Sequence, residues 1–149
     1  MSSCQHDSLG RHIYMTAQIL KNHLERVLSP FDLTGEQFHL LKNTSTSTGY
    51  SQNELCRLVD KSPANLTRIL DRLEKKELVV RKDNPDDRRS LLVFQTEQGL
   101  ALVSQVSTLF HRLSAEVEKG IKSEERKIFH KVLNQIDLNL QNLSEQYGE

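Results

Sequence analysis

A single strand-turn-strand pattern interrupts a chain whose apolar residues otherwise recur at helical spacing. Residues 78–80 and 91–94 are apolar runs, and the stretch 83–87 between them, with one proline and three aspartates, is typical of a tight turn. On either side of this hairpin, apolar residues follow one another in steps of three and four, which indicates amphipathic helices. The fold therefore has to place one small β-hairpin among helices.

Four helices are predicted before the hairpin. The first spans 9–28, and two capping boxes, at 34–37 and 51–54, open the second and third. Ser62 is a favourable N-cap for the fourth helix, with Pro63 at the first helical position, where the missing N–H of proline costs nothing. The apolar stripe of this fourth helix follows the i, i+3, i+4, i+7 spacing and consists of Leu66, Ile69, Leu70 and Leu73.

Two long helices are predicted after the hairpin, one from Thr96 and one from Ser123. With the first helix they carry more apolar surface than a chain of 149 residues can cover, so we expect a second copy to cover it; a monomeric helical bundle is the alternative. The predicted fold is mainly α with a small β-hairpin wing. It consists of a winged helix-turn-helix module at 34–96 and a helical dimerisation region made of 1–33 and 97–149.

Local charge is more informative than total charge in this chain. With 20 basic and 20 acidic residues, the net charge does not by itself indicate a nucleic-acid partner. On the fourth helix, however, Arg68 and Lys75 point away from the apolar stripe, and small or polar residues occupy the first turns. Such a face fits the major groove of DNA, although a solvated polar face is the alternative interpretation.

The hairpin favours DNA binding over a solvated face. Arg88 and Arg89 lie next to the turn, where an arginine side chain can enter the negative minor groove. Asp86 or Asp87 can pair with an arginine and hold it in one rotamer, which lowers the entropy lost on binding. The alternative is an exposed turn with incidental charges, and the helix-turn-helix before the hairpin makes that alternative the weaker one.

The chain also resembles a known family, the multiple-antibiotic-resistance regulator (MarR) family of bacterial transcription factors. The matching motifs are the core of the fourth helix at 71–74, the wing signature at 87–89 and the segment 96–99 after the wing. The resemblance implies a homodimeric repressor whose terminal helices intertwine into one domain overall. Its two winged modules would each read half of a near-palindromic, double-stranded DNA operator. Two positions depart from the family pattern: Glu77 replaces the usual glycine at the helix end, and Gln95 replaces the usual leucine before the threonine.

The fourth helix and the wing together define a set of predicted DNA contacts. The resemblance implies that Arg89 enters the minor groove, that Asp87 orients it, and that the first turns of the helix lie at base edges. Basic residues at the base of the wing are expected on phosphates. The complete predicted set is Lys61, Ser62, Ala64, Asn65, Thr67, Arg68, Arg72, Arg81, Lys82, Asp87, Arg88 and Arg89.

An effector is implied by the resemblance, since members of the family often respond to a small molecule bound between the dimer helices and the DNA-binding module. His12, Phe38 and His39 are the candidate lining of such a pocket. A redox- or metal-responsive regulator of the same fold is the alternative. Cys4 and Cys56 are the candidate redox residues, although a buried, inert thiol is the other interpretation of Cys56.

Several classes of function are not predicted. The six histidines lack the close spacing of a metal site, so neither a metal nor a cofactor is expected. No paired nucleophile and base indicates an enzyme. The N-terminus lacks the pattern of a secretory signal and no stretch approaches a membrane span, which predicts a cytoplasmic protein without a membrane partner. A winged-helix module that binds another protein without recognising an operator is the remaining alternative, against which the basic residues Arg68 and Arg89 favour DNA.

Overall fold

The structure is a computed structural model that describes residues 8–147, with side chains described through Ser144. The predicted order of four helices, a hairpin and two helices is confirmed, as is the mainly helical winged fold. No helix within the described range is long and apolar enough to cross a membrane. The elements are α1 (Leu9–Leu28), a 3-10 turn (Ser29–Phe31), α2 (Gly35–Lys42), β1 (Tyr50–Ser51), α3 (Gln52–Val59), α4 (Pro63–Lys75), β2 (Val79–Asn84), β3 (Asp87–Gln95), α5 (Glu97–Val117) and α6 (Ser123–Tyr147).

Side-chain caps fix where the helices of the central module begin, as the sequence predicts. The Thr34 hydroxyl accepts the N–H of Gln37 at 3.2 Å, and the Gln37 side chain accepts the N–H of Thr34 at 3.3 Å. Ser51 and Glu54 form the same reciprocal pair at the start of α3. Ser62 caps α4 in an extended conformation. Each cap satisfies N–H groups that the first turn of a helix leaves without a partner.

The sheet has the order β1-β3-β2 and is antiparallel throughout, so β3 lies in the middle and β2 at an edge. Val93 of β3 pairs with Tyr50 of β1 on one side and with Arg81 of β2 on the other. The sequence does not predict β1, because it has only two residues and the second, Ser51, is also the cap of α3. The extra strand joins the wing directly to the start of α3.

One hydrophobic core supports α4 and the wing. The predicted stripe of α4 is buried along its whole length, with Leu66, Leu70 and Leu73 fully inaccessible to solvent. Phe38 of α2 packs edge-to-face against Phe110 of α5, with ring centroids 4.8 Å apart. The core residues are Leu28, Leu33, Phe38, Leu40, Leu41, Leu55, Val59, Leu66, Ile69, Leu70, Leu73, Leu78, Val79, Val93 and Val106.

The chain divides into two compact units, Met1–His111 and Arg112–Glu149. In the first unit, α1 leaves Tyr14, Met15 and Ile19 more than half exposed. In the second unit, the exposed large apolar side chains are Val117, Ile121, Ile128, Phe129, Val132, Leu138, Leu140 and Leu143. Among the described residues these large apolar side chains are thus exposed in a single chain, in keeping with the expected second copy. The boundaries 34–96, 1–33 and 97–149 stay predictions.

Candidate nucleic-acid interface

The exposed face of α4 carries the side chains predicted to reach base edges. Ser62, Ala64, Asn65 and Arg68 are exposed, as is Arg72 one turn further along the helix. Because the opposite face is locked into the core, the orientation of these side chains follows from the burial of the stripe. The first turn of α4 thus carries small side chains, and two guanidinium groups follow them along the same face. Such a face can enter the major groove of DNA and bond to base edges.

Thr67 differs from its neighbours because it is half-buried. Its hydroxyl donates to the Pro63 carbonyl of the same helix at 2.9 Å, so the proton of this hydroxyl is already used within α4. The oxygen keeps its acceptor capacity. Of the predicted set, Thr67 is therefore limited to accepting a hydrogen bond unless it gives up the one to Pro63.

Lys61, just before α4, is held by an acidic partner on another helix. Its Nζ lies 2.7 Å from Oε1 of Glu36, at the start of α2. The hydrogen bond and the positive charge of Lys61 lower the pKa of the Glu36 carboxyl. Both side chains are solvent-accessible, so the pair is weak and a phosphate can compete for Lys61.

The tip of the wing is ordered by its own polar side chains. Asn84 accepts the N–H of Asp86 at 3.0 Å and donates to the hydroxyl of Ser90 at 2.9 Å across the turn. Asp87 accepts the backbone N–H of Arg89 at 3.0 Å. Asp87 thus orients Arg89 through the main chain, in a different way from the side-chain pairing expected from the sequence. The Arg89 side chain stays exposed, as does that of Arg88.

The two basic residues at the base of the wing have different environments. Lys82 is exposed, and its Nζ lies 5.1 Å from the centroid of the Phe94 ring, which restrains a flexible side chain by a cation–π contact. Arg81 is not free in the same way. Its guanidinium bonds to Asp71 at 2.7 Å and to Glu74 at 3.0 Å, and only 16% of its side chain is exposed. A free phosphate contact was expected at Arg81, whereas the structure pairs it internally.

The end of α4 is set by Glu77, one of the departures from the family pattern. Glu77 has φ +58°, in the left-handed region that favours glycine. Its N–H donates to the Glu74 carbonyl at 2.9 Å, and the Leu78 N–H donates to the Leu73 carbonyl at 3.0 Å. These are the two hydrogen bonds of a Schellman motif. The helix therefore ends as a glycine would end it, with a glutamate under conformational strain.

Of the predicted effector residues, His39 alone lines either of two clefts formed by the described residues. Phe38 is in the core, and His12 is exposed on α1. His39 lines a cleft of about 270 Å³ whose other lining residues are Gly35, Glu36, Val59, Lys61 and Ile69. A larger cleft of about 540 Å³ is lined by Glu25, Ser29, Asp32, Leu33, Thr34, Gln37, Arg72 and Lys76. The sequence does not predict either cleft, because each combines residues of α2 with residues of α4 that are far apart in the chain.

The two cysteines predicted as candidate redox residues differ in what the structure describes of them. Cys56 is half-buried and packs against the core, and within residues 8–147 it forms no disulfide. Cys4 lies outside the described residues. Among residues 8–147, no group of three or more histidine, cysteine, aspartate or glutamate side chains is arranged to hold a metal ion.

Comparisons with known proteins agree with this geometry. The family model described as MarR family matches residues 33–91, from the start of α2 to the wing. The multiple antibiotic resistance protein MarR of Escherichia coli is 36% identical over 118 residues, 78% of this chain and 82% of that protein. An uncharacterised HTH-type transcriptional regulator of Bacillus subtilis, YhbI, is 30% identical over 128 residues, 86% of this chain and 83% of that protein.

A solved structure of the same kind carries DNA. It is the crystal structure of a mutant MarR from Escherichia coli complexed with operator DNA, with a TM-score of 0.77 and 33% sequence identity. The match covers 86% of this chain and 92% of that one. The backbone of this chain is thus similar to that of a relative solved on its operator.

Proposed function

The chain belongs to the MarR family of transcriptional regulators, and we propose that it is a homodimeric repressor that binds a near-palindromic DNA operator and is released by a small-molecule effector. The observation that carries this proposal is the exposed face of α4 beside a wing whose tip presents two arginines. The similarity to a relative solved with operator DNA supports it. A regulator of this kind has no need of catalysis and acts where the chromosome is, so we propose a non-enzymatic, cytoplasmic protein.

The proposed binding mode assigns different tasks to α4 and the wing. Asn65 and Arg68 read base edges in the major groove, where the small side chains of Ser62 and Ala64 permit close approach. Arg89 enters the minor groove at the wing tip. The remaining cations, Lys61, Arg72, Lys82 and Arg88, contact phosphates and so set the position of the protein on the duplex. Arg81 is left out of the direct contacts because two carboxylates hold it.

The proposed dimer joins the apolar faces that a single chain leaves exposed. Phe129 of α6 is 58% exposed and Ile128 beside it is 62% exposed, values that a lone chain rarely tolerates for neighbouring large apolar residues. Light scattering at micromolar concentration is expected to return twice the 17.2 kDa mass of one chain. A mass of 17.2 kDa would contradict the dimer, and Phe129→Glu is expected to shift the mass toward that value while Lys127→Glu, also on α6, is not.

The proposed effector is a small molecule that binds next to the DNA-binding helix α4. The His39 cleft, with an apolar side at Val59 and Ile69, a cation at Lys61 and the imidazole of His39, has the mixed character of a small-molecule site next to α4. Redox sensing through Cys56 and protein binding without operator recognition are the alternatives. A ligand that shifts amide signals around His39 and lowers operator affinity in the same concentration range would support the small-molecule effector over both.

Operator binding is tested by fluorescence anisotropy with the promoter region of the protein's own operon. We expect an inverted-repeat site and an affinity that falls steeply with salt, because cations on phosphates displace counterions. Arg68→Ala and Arg89→Ala are each expected to weaken binding by about tenfold or more. Arg112→Ala on α5 removes the same charge from an exposed side chain that has no bond within the described residues, and it serves as the matched control. Binding that is absent at low salt, or that survives both substitutions together, would refute operator recognition.

A further inference from the structure

Arg81 joins the base of the wing to α4 through two carboxylates. One terminal nitrogen of its guanidinium lies 2.7 Å from Oδ1 of Asp71, and the other lies 3.0 Å from Oε2 of Glu74. Asp71 and Glu74 are three residues apart, so both side chains project from the same face of α4. A planar guanidinium can reach two such carboxylates at once, and a lysine ammonium cannot do so with the same geometry.

The main chain of β2 takes part in the same arrangement. Because β2 is an edge strand, the N–H groups on its outer side have no neighbouring strand to bond to. The N–H of Arg81 instead donates to Oε1 of Glu74 at 3.2 Å. Glu74 therefore binds both the backbone and the side chain of Arg81, and Asp71 binds the side chain alone. Three hydrogen bonds fix β2 against α4 at one residue.

The burial of Arg81 makes this contact stronger than an ordinary surface ion pair. Only 16% of its side chain is exposed, compared with 56% for Asp71 and 39% for Glu74. Charge interactions gain strength where water is excluded, and a half-buried charge that loses its partner is costly. The Nε atom of Arg81 is buried and has no partner among the described residues, so these residues hold the guanidinium by its two terminal nitrogens. A phosphate would have to break this pairing to reach Arg81.

We propose that Arg81, Asp71 and Glu74 are positioning residues that fix the angle of the wing relative to α4. The proposal rests on the proposed function, because the angle matters when α4 and the wing must enter two grooves of one duplex together. A wing held at the correct angle presents Arg89 at a high effective concentration once α4 is bound. A wing that swings loses that advantage, although every DNA-contacting side chain is still present.

Removing a negative charge from this cluster distinguishes a positioning role from a simple electrostatic effect on DNA affinity. The three side chains carry one positive and two negative charges, so Asp71→Asn or Glu74→Gln makes the protein more positive near the DNA. If charge alone mattered, both variants would bind DNA more tightly. A positioning role predicts the opposite: each variant weakens operator binding by about tenfold. Asp83→Asn is the matched control, since Asp83 is exposed on β2 and has no side-chain bond within the described residues.

Arg81→Lys keeps the charge and removes the planar fork. We expect it to weaken operator binding about as much as Asp71→Asn, with the same dependence of affinity on salt as the wild type. If Arg81 were a phosphate contact instead, Arg81→Met would lower the salt slope by about 0.9. A positioning role leaves that slope unchanged, because no phosphate contact of Arg81 is lost.

A measurement without DNA keeps the test independent of the proposed function. Amide residual dipolar couplings of β2, β3 and α4 in the free protein are expected to fit one wing orientation in the wild type and in Asp83→Asn. In Asp71→Asn, Glu74→Gln and Arg81→Lys, the wing couplings are expected to shrink relative to those of α4. Unchanged couplings in these variants, or operator binding as tight as in the wild type, would overturn the proposal. Wild-type protein that fails to bind any operator would refute the proposed function alone, and the couplings would still decide the positioning role.

Discussion

Replacing the glutamate at the end of α4 by glycine is predicted to stabilise the folded protein. Glu77 has φ +58°, and its surroundings prevent it from relaxing. The Leu78 N–H is bonded to the Leu73 carbonyl, and the Glu77 carbonyl accepts the hydroxyl of Thr96 at 2.8 Å. The Glu77 side chain is exposed and has no bond of its own within the described residues, so Glu77→Gly removes strain without removing a contact.

The magnitude follows from two opposing terms. A left-handed conformation costs a residue other than glycine about 1–2 kcal/mol. A glycine gains freedom in the unfolded chain, which takes back about 0.4–1 kcal/mol. The net expectation for Glu77→Gly is an increase of about 0.5–1 kcal/mol in the free energy of unfolding. For a protein of this size, that corresponds to a Tm rise of about 1–4 °C.

Thermal and urea denaturation of the two proteins test this expectation, with the protein concentration held equal because a dimer's stability depends on it. Ala101→Gly is the control: Ala101 is exposed in the interior of α5, where a glycine is expected to lower stability by about 1 kcal/mol. A loss of stability in Glu77→Gly similar to that of the control would show that the left-handed conformation is not strained, and would refute the reasoning.

Three further substitutions test other parts of the structure. Gly99→Ala is expected to destabilise by about 2 kcal/mol or more in urea denaturation, because its Cβ would overlap a backbone carbonyl oxygen. Glu36→Gln frees Lys61 and is expected to tighten operator binding about twofold in anisotropy. Because Lys61 lowers the pKa of Glu36 in the folded protein, the pair adds to the free energy of unfolding above the unfolded pKa of about 4.5. That contribution is lost as pH falls through the lower folded pKa. In an NMR titration, Lys61→Met is expected to raise the pKa of Glu36. Asp87→Ala, which removes the acceptor for the Arg89 N–H, is expected to weaken operator binding about threefold, and Asp87→Asn much less.

Features set by neighbouring residues could be predicted from the sequence. The capping boxes at 34–37 and 51–54, the Ser62 cap and the apolar stripe of α4 depend on side chains within one turn of each other, and all appear as predicted. The hairpin is similarly local, because its turn residues and apolar runs are contiguous. The outward direction of Arg68 follows from the stripe, since a helix that buries one face has to expose the other.

Features that depend on distant residues could not be predicted in the same way. Arg81, Lys82, Arg88 and Arg89 are alike in sequence, as four cations around one turn. The structure separates Arg81 from the others because Asp71 and Glu74, on another element, come within reach only when β2 packs beside α4. No sequence spacing predicts this pairing, because it depends on how the hydrophobic core places α4 and β2 relative to each other.

The two departures from the family pattern show why a local rule can be broken without changing the fold. Gln95 is 5% exposed at the end of β3, where its amide donates to the Leu41 carbonyl at 3.1 Å and its backbone N–H donates to the Ser45 carbonyl at 2.7 Å. The amide adds a third hydrogen bond at the Leu41 carbonyl, which also accepts the backbone N–H and the hydroxyl of Thr44 just beyond α2. Glu77 keeps the left-handed shape because its neighbours are bonded on both sides. At Gln95 tertiary hydrogen bonds replace an intrinsic preference, and at Glu77 the local Schellman bonds act together with the tertiary bond from the Thr96 hydroxyl to the Glu77 carbonyl.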